Sequence, residues 1–144
     1  MKILDANLLI YAVNRDASQH QKAKAWLEQS LVEAEPLAFS WLVLLAFMRL
    51  TTRSGLFQKP LSPERAFDLI ELWLAQPAAR IVHPGTHHFE ILRGLLTPFG
   101  TAGNLTSDAH LAALAIEQNA ELYSSDSDFG RFPGVRWTNP LANR

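Results

Sequence analysis

Short apolar runs alternate with longer amphipathic segments along this chain, and no segment repeats another. Strands and helices that follow one another in this way are typical of an α/β fold with a parallel sheet. The pattern predicts strands at residues 2–4, 37–39, 81–83 and 121–123, and a fifth at the sheet edge over 135–138. It predicts helical segments at about residues 8–13, 17–33, 41–52, 62–75, 86–96 and 106–118.

Polar residues mark the predicted helix starts, because their side chains can accept hydrogen bonds from the free amides of a first turn. The candidate caps are Asp16 or Ser18, Ser62 (followed by Pro63), Thr86, and Thr106 or Ser107. The segment 41–52 is so apolar that we expect it to be largely buried.

The composition fits one domain over residues 1–144 with a real core, since 48% of the residues are hydrophobic and 19% are charged. The absence of cysteine excludes disulfides and thiolate metal sites. A net charge of −1 means that any nucleic acid must bind a local basic patch. The N-terminus does not read as a signal peptide and the longest apolar run is too short for a bilayer, so we expect a soluble, cytoplasmic protein with no membrane partner.

Four carboxylates stand at positions that a parallel sheet would bring together. Asp5 follows the first predicted strand, and Asp126 follows the fourth, with Asp128 two residues later. Asp108 lies in the first turn of the last predicted helix, where the helix dipole favours a negative charge. Because ligands bind outside the carboxyl ends of parallel strands, we expect these acids at one edge of the sheet.

Clustered carboxylates repel one another, and a divalent cation removes that repulsion. Oxygen ligands without cysteine favour Mg²⁺ or Mn²⁺, which suit hydrolysis of a phosphodiester bond. The alternative is structural: Asp5 caps a turn, Asp108 complements a helix end, and Asp126 and Asp128 form a turn. Both interpretations remain open from the pattern alone.

Three stretches, "DANLLIYA", "NLTSDAHLAALA" and "LYSSDSDFGRF", resemble the PIN domain of VapC-type toxins, the ribonuclease halves of type II toxin–antitoxin systems. The resemblance covers nearly the whole chain and keeps the order of the motifs. It implies a PIN-like α/β/α sandwich with a short, mostly parallel central sheet of four to five strands.

The resemblance also implies a Mg²⁺- or Mn²⁺-dependent endoribonuclease. Asp5, Asp108 and Asp126 would bind the metal or position the attacking water, and Asp128 would assist them. Asn7 and Ser125 match positions that support the acids. Members of this family usually form homodimers and are blocked by a small antitoxin, so RNA, a VapB-like antitoxin and a second copy of the chain are the expected partners.

The sequence departs from the family at one position. The family usually carries a glutamate on the helix after the second strand, whereas Ala46 or Phe47 lies about there, and residues 36–63 contain no acid. This stretch instead carries Arg49 and Arg53, four residues apart on one predicted helix face, where they are candidates for binding RNA phosphates. The alternative is that both arginines are solvated beside a helix C-terminus.

Two further functions remain open. The missing glutamate is consistent with a degenerate PIN domain that binds RNA or an antitoxin without cleaving. A phosphoryl-transfer domain with acids at strand ends is less favoured, because such sites usually need a second acid where this chain has Asn7, and a lysine that is not well placed here.

Overall fold

A computed structural model describes residues 1–142 of the chain. Within them a five-stranded sheet has the order β3-β2-β1-β4-β5, and every strand pairing is parallel. The strands are β1 (Lys2–Leu4), β2 (Leu37–Ser40), β3 (Ala79–Val82), β4 (Glu121–Tyr123) and β5 (Arg136–Thr138). The helices are α1 (Ala6–Val13), α2 (His20–Val32), α3 (Trp41–Thr52), α4 (Pro63–Leu74), α5 (His88–Leu96) and α6 (Thr106–Glu117).

The helices divide into two layers. The connections β1 to β2 to β3 cross the sheet in one direction, and the connection β3 to β4 returns in the other. Because such crossovers are right-handed, α1–α4 lie on one face and α5 and α6 on the other. Helix contacts agree, since α1 packs on α2 and α3, α3 on α4, and α5 on α6. The predicted α/β/α class and parallel sheet are confirmed.

The core lies on both faces of the central strand β1. Ile3 and Leu4 are fully buried, as are Leu37 and Phe39 of β2 and Leu122 of β4. These short apolar strands are covered on both sides, which explains why they read as continuous apolar runs. Their carboxyl ends all meet at one edge of the sheet.

Helix α3 has the predicted bounds, but the expectation that it is largely buried is wrong. Val43, Leu44 and Phe47 face the core, whereas Trp41 is 51% and Leu45 60% exposed. A helix in an outer layer buries only the stripe that faces the sheet. The apolar run therefore includes a second, solvent-facing apolar surface.

Of the predicted caps, Ser62 is confirmed, since its hydroxyl accepts a hydrogen bond from the Arg65 amide at 3.1 Å. Helix α2 begins with Gln19 at its N-cap, so Asp16 and Ser18 both precede it. Helix α6 has Leu105 at its N-cap, and Thr106 and Ser107 are already helical. A 3-10 turn over Gly103–Leu105 leads directly into α6 and replaces the expected side-chain cap.

The prediction that Thr86 caps α5 is also wrong. His87 is at the N-cap, and the amides before the helix are bound by Glu117 at the end of α6. A carboxylate from another helix therefore takes the role of a local cap. Within residues 1–142, none of the helices is long and apolar enough to cross a bilayer.

Candidate metal-dependent active site

Ser124 is the centre of a hydrogen-bond network at the carboxyl edge of the sheet. It is the first residue after β4 and is fully buried. Its hydroxyl donates to Asp5 Oδ2 at 2.8 Å and accepts from Asn7 Nδ2 at 3.1 Å and from the Asp126 amide at 3.0 Å. One donor and two acceptor positions are all that a hydroxyl offers, so the group is saturated. A single side chain thus fixes the segments after β1 and β4 relative to each other.

Asp5 has both carboxylate oxygens occupied. Oδ2 binds Ser124, and Oδ1 accepts from the Ala6 amide at 2.7 Å, which makes Asp5 the N-cap of α1. Burial raises the pKa of the Asp5 carboxyl, the two hydrogen bonds oppose that rise, and the charge of Asp126 adds to it. Asp5 therefore has the structural role that the sequence left open, and it also lies beside the other acids.

Asp108, Asp126 and Asp128 form a compact acidic group. One carboxylate oxygen from each lies within 4.8 Å of the others. Asp108 comes from the first turn of α6, and Asp126 caps the 3-10 helix Ser127–Arg131 by accepting from the Asp128 amide at 2.9 Å. Burial raises the pKa of Asp108 to about 6, and the charges of Asp5, Asp126 and Asp128 contribute to the rise.

This group fits a divalent metal ion. Three carboxylate oxygens at such spacing can contact one ion, and hard oxygen ligands suit Mg²⁺ or Mn²⁺. The pKa of Asp108 is raised mainly by burial and further by the negative charges of Asp5, Asp126 and Asp128, and a bound cation would remove this second, repulsive contribution. Asp5 is outside this group of three and borders it.

A small cavity of about 120 Å³ opens between two of these acids, Asp5 and Asp108, and α3. Asp5 and Asp108 line it on one side, and Ala46 and Arg49 of α3 on the other. Phe47 is fully buried and packs edge-on against Trp73, with ring centroids 5.0 Å apart. Of Ala46 and Phe47, the two positions where the family glutamate was expected, Ala46 is the one that lines this cavity, and its methyl group offers no metal ligand.

The two candidate RNA-binding arginines both border this region but in different cavities. Arg49 is exposed and lines the cavity that contains Asp5 and Asp108. Arg53 is also exposed, is the residue directly after α3, and lines a neighbouring hollow together with Asn7.

Sequence reasoning singled out Ser125, whereas the hydroxyl that contacts Asp5 belongs to Ser124. Ser125 contributes its backbone amide, which donates to Asn7 Oδ1 at 3.5 Å. Alternation along β4 carried the signal for Ser124, because side chains two apart share a face and Leu122 is buried. Asn7 supports Asp5 through Ser124.

Comparison with known proteins places this chain in a family. The family model described as PIN domain matches residues 2–135. Ribonuclease VapC37 of Mycobacterium tuberculosis (strain ATCC 25618 / H37Rv) is 51% identical over 142 residues, covering 99% of each chain. Ribonuclease VapC33 of the same strain is 39% identical over 141 residues, covering 98% of this chain and 99% of the relative.

Solved structures show the same fold at lower sequence identity. The VapBC2 structure from Rickettsia felis, bound to a DNA fragment from the promoter, matches with a TM-score of 0.72 at 21% identity, covering 96% of this chain and 97% of that one. Mycobacterium tuberculosis VapC20, described as a sarcin–ricin loop cleaving toxin, matches with a TM-score of 0.68 at 21% identity, covering 94% and 99%. The chain belongs to the PIN-domain family and, within it, to the VapC ribonucleases.

Proposed function

We propose that the chain is the toxin of a type II toxin–antitoxin pair and acts as a metal-dependent endoribonuclease on RNA phosphodiester bonds. The observation that carries the proposal is the group of Asp108, Asp126 and Asp128 beside Asp5 at the carboxyl edge of the sheet. The similarity of nearly the whole chain to proteins named as ribonucleases supports the same reaction.

In this proposal Asp108, Asp126 and Asp128 hold the metal ion. A bound Mg²⁺ or Mn²⁺ supplies positive charge to the phosphate and lowers the pKa of water. Asp5 positions the attacking water, and its orientation depends on the hydroxyl of Ser124, which Asn7 also contacts. Ser125 supports the site by holding Asn7 through its amide.

Arg49 complements the acids in this proposal. Arg49 is exposed and lines the same cavity as Asp5 and Asp108, and a guanidinium is well shaped to bind a phosphate through two hydrogen bonds. Arg49 would hold the RNA phosphate beside the acids, on the side of the site where Ala46 contributes no charge.

The deciding experiment measures cleavage of an RNA oligomer with and without metal. We expect Mn²⁺ or Mg²⁺ to support cleavage, EDTA to abolish it, and Asp126→Asn to reduce it at least roughly 100-fold, as loss of a catalytic group commonly does. Asp68→Asn, an exposed acid of α4, is the matched control and should cleave normally. RNA that is bound but left intact by the wild-type protein in Mn²⁺ would instead support the non-cleaving alternative.

We further propose that the chain binds a VapB-like antitoxin and that it assembles as a homodimer. We propose the cytoplasm as its location, because its RNA substrate is found there. Solved VapBC relatives support the first of these. Exposed apolar side chains on α3 and α4 support a protein contact of some kind, because a lone soluble domain rarely exposes a large contiguous apolar patch. Co-purification of the chain with the protein encoded by a neighbouring small open reading frame tests the proposed antitoxin partner.

A further inference from the structure

A second hollow adjoins the acidic cavity. Its volume is about 520 Å³, and α1, the end of α3 and the loop after α3 form its walls. The residues that matter below are Asn7, Tyr11, Leu50, Arg53 and Leu56. The acidic cavity is walled by the start of α1 and the earlier turns of α3, so the same two helices border both spaces.

One residue, Asn7, belongs both to the wall of the hollow and to the hydrogen-bond network around the acids. Asn7 lines the hollow, and its amide group also binds the Ser124 hydroxyl and the Ser125 amide. Two arginines likewise connect the two spaces on the α3 side, since Arg49 lines the acidic cavity and Arg53 lines the hollow. Four residues along a helix is about one turn, or roughly 6 Å. A strand of RNA whose phosphate lies at Arg49 would therefore extend towards Arg53.

The chemistry of the hollow matches one nucleotide. Leu50 and Leu56 supply apolar walls, and Leu56 is 42% exposed. Tyr11 is a partly buried aromatic side chain on which a base can stack. Arg53 is the charged residue of the lining, and within residues 1–142 its guanidinium has no acidic oxygen within 4.0 Å.

We propose that this hollow is a nucleotide subsite of the RNA substrate, in which Arg53 binds a backbone phosphate and Tyr11 stacks on the base next to the bond that is cut. The subsite rests on the proposed ribonuclease function and adds to it a position that fixes the register of the strand. Because stacking tolerates any base, the subsite holds single-stranded RNA without reading a unique sequence.

The test measures binding of a short, fluorescently labelled single-stranded RNA by anisotropy in Mg²⁺, with every protein carrying Asp126→Asn so that the RNA stays intact. Arg53→Ala should raise the Kd roughly fivefold or more. It should also reduce the slope of log Kd against log salt concentration by about the amount that one phosphate contact contributes. Arg80→Ala is the matched control. Arg80 is exposed and lies near the start of β3, and the starts of the strands are at the opposite edge of the sheet from the acids. It removes the same charge and should leave the Kd nearly unchanged.

Tyr11 provides an independent arm. Tyr11→Phe keeps the ring and should bind normally, whereas Tyr11→Leu should weaken RNA binding roughly fivefold because a stacked base loses its partner. Thermal unfolding of each variant checks the fold. If Tyr11→Leu does not fold, the comparison of Arg53→Ala with Arg80→Ala decides.

The subsite is overturned if Arg53→Ala and Arg80→Ala have the same Kd and salt dependence, or if the parent protein does not bind RNA. It is also overturned if Arg53→Ala weakens binding of the antitoxin and leaves RNA binding unchanged. These results are separable from failure of the ribonuclease proposal, which is decided by metal-dependent cleavage by the protein with Asp126 intact.

Discussion

At the scale of single residues, Ser124 links the two halves of the acidic site. Its hydroxyl contacts the carboxylate of Asp5, the amide of Asn7 and the backbone of Asp126. Asp5 and Asn7 belong to the segment after β1 and Asp126 to the segment after β4, so the orientation of each segment depends on the other through a single oxygen atom.

Ser124→Ala leaves the partly buried carboxylate of Asp5 and side-chain amide of Asn7 without this hydrogen-bond partner. We expect it to lower the free energy of unfolding by about 1–3 kcal/mol and to lower kcat, because Asp5 loses its orientation. Urea unfolding and RNA cleavage measure the two effects. Ser127→Ala, an exposed serine of the same loop, is the control. Normal activity of Ser124→Ala would contradict a positioning role.

The raised pKa of Asp108 predicts how the metal-free protein responds to pH. A carboxyl whose pKa rises from 3.8 to about 6 on folding keeps its proton in the folded chain while the unfolded chain has already lost it. Stability therefore falls as pH rises from about 4 to 6 and stays lower above that. Because Asp108 is only half-buried, solvent screening limits the effect to about 1 kcal/mol. Asp108→Asn should remove this dependence in urea unfolding with EDTA at pH 4.5 and 7.

Metal binding should depend on pH in the opposite sense. Since a ligand carboxyl must lose its proton, Mn²⁺ affinity should fall as pH drops through about 6, the pKa of Asp108. The loss approaches about tenfold per pH unit for one proton. Titration of Mn²⁺ by calorimetry between pH 5 and 7.5 measures it, and a constant affinity would exclude Asp108 as a ligand.

At the scale of helices and strands, α5 and α6 are joined by a cap that comes from a distant residue. Glu117 accepts hydrogen bonds from the Gly85 amide at 2.7 Å and the His87 amide at 2.9 Å. The bond from Gly85 is the main reason that the pKa of Glu117 lies below its usual value. The last turn of one helix therefore fixes the start of its neighbour.

Glu117→Ala should lower the melting temperature, because two amides at the start of α5 lose their acceptor. The difference from the wild type should shrink as the pH falls below about 4.5, since a protonated Glu117 no longer supplies a charged acceptor. Glu90→Ala, an exposed acid of α5, is the control. Thermal unfolding at pH 7 and pH 3.5 measures both variants.

The pattern of apolar and polar residues predicted helices and strands well where interactions between residues close in sequence determine them. The bounds of α3 and β4 and the cap at Ser62 follow from apolar spacing and from neighbours within one turn. The start of α5 was not predictable from its own residues, because its acceptor lies about 30 positions further along the chain. The same reason hid the role of Ser124, which depends on residues about 120 positions away.

At the scale of the whole molecule, the parallel sheet explains why the region of the site was predictable. Strands that all point one way bring their following residues to one edge, so Asp5 and Asp126 had to approach each other. The closeness of Asp108 to Asp126 and Asp128 depends on how α6 packs, which apolar spacing does not specify. The roles of these acids as ligands remain predictions.

The groove between α3 and α4 supports the predicted self-association. It has a volume of about 620 Å³, and Trp41, Leu45 and Phe67 line it with 51%, 60% and 60% of their surfaces exposed. We expect a dimer that Leu45→Glu shifts towards monomer, because burying an unpaired charge is costly. Light scattering after size exclusion measures the mass. Phe89→Glu, on the other face of the sheet, is the control, and a monomeric wild-type protein would contradict the dimer.

The central strand β1 pairs with two strands that are made at very different times. Lys2 lies opposite Leu37 on one side and Glu121 on the other. A nascent polypeptide can form the first pairing early, but the second must wait until β4 has left the ribosome. Asp108, Asp126 and Asp128 are all translated in the last third of the chain. The proposed toxin is therefore inert for most of its own translation, and its acidic cluster can form only after β4 and the residues that follow it have left the ribosome.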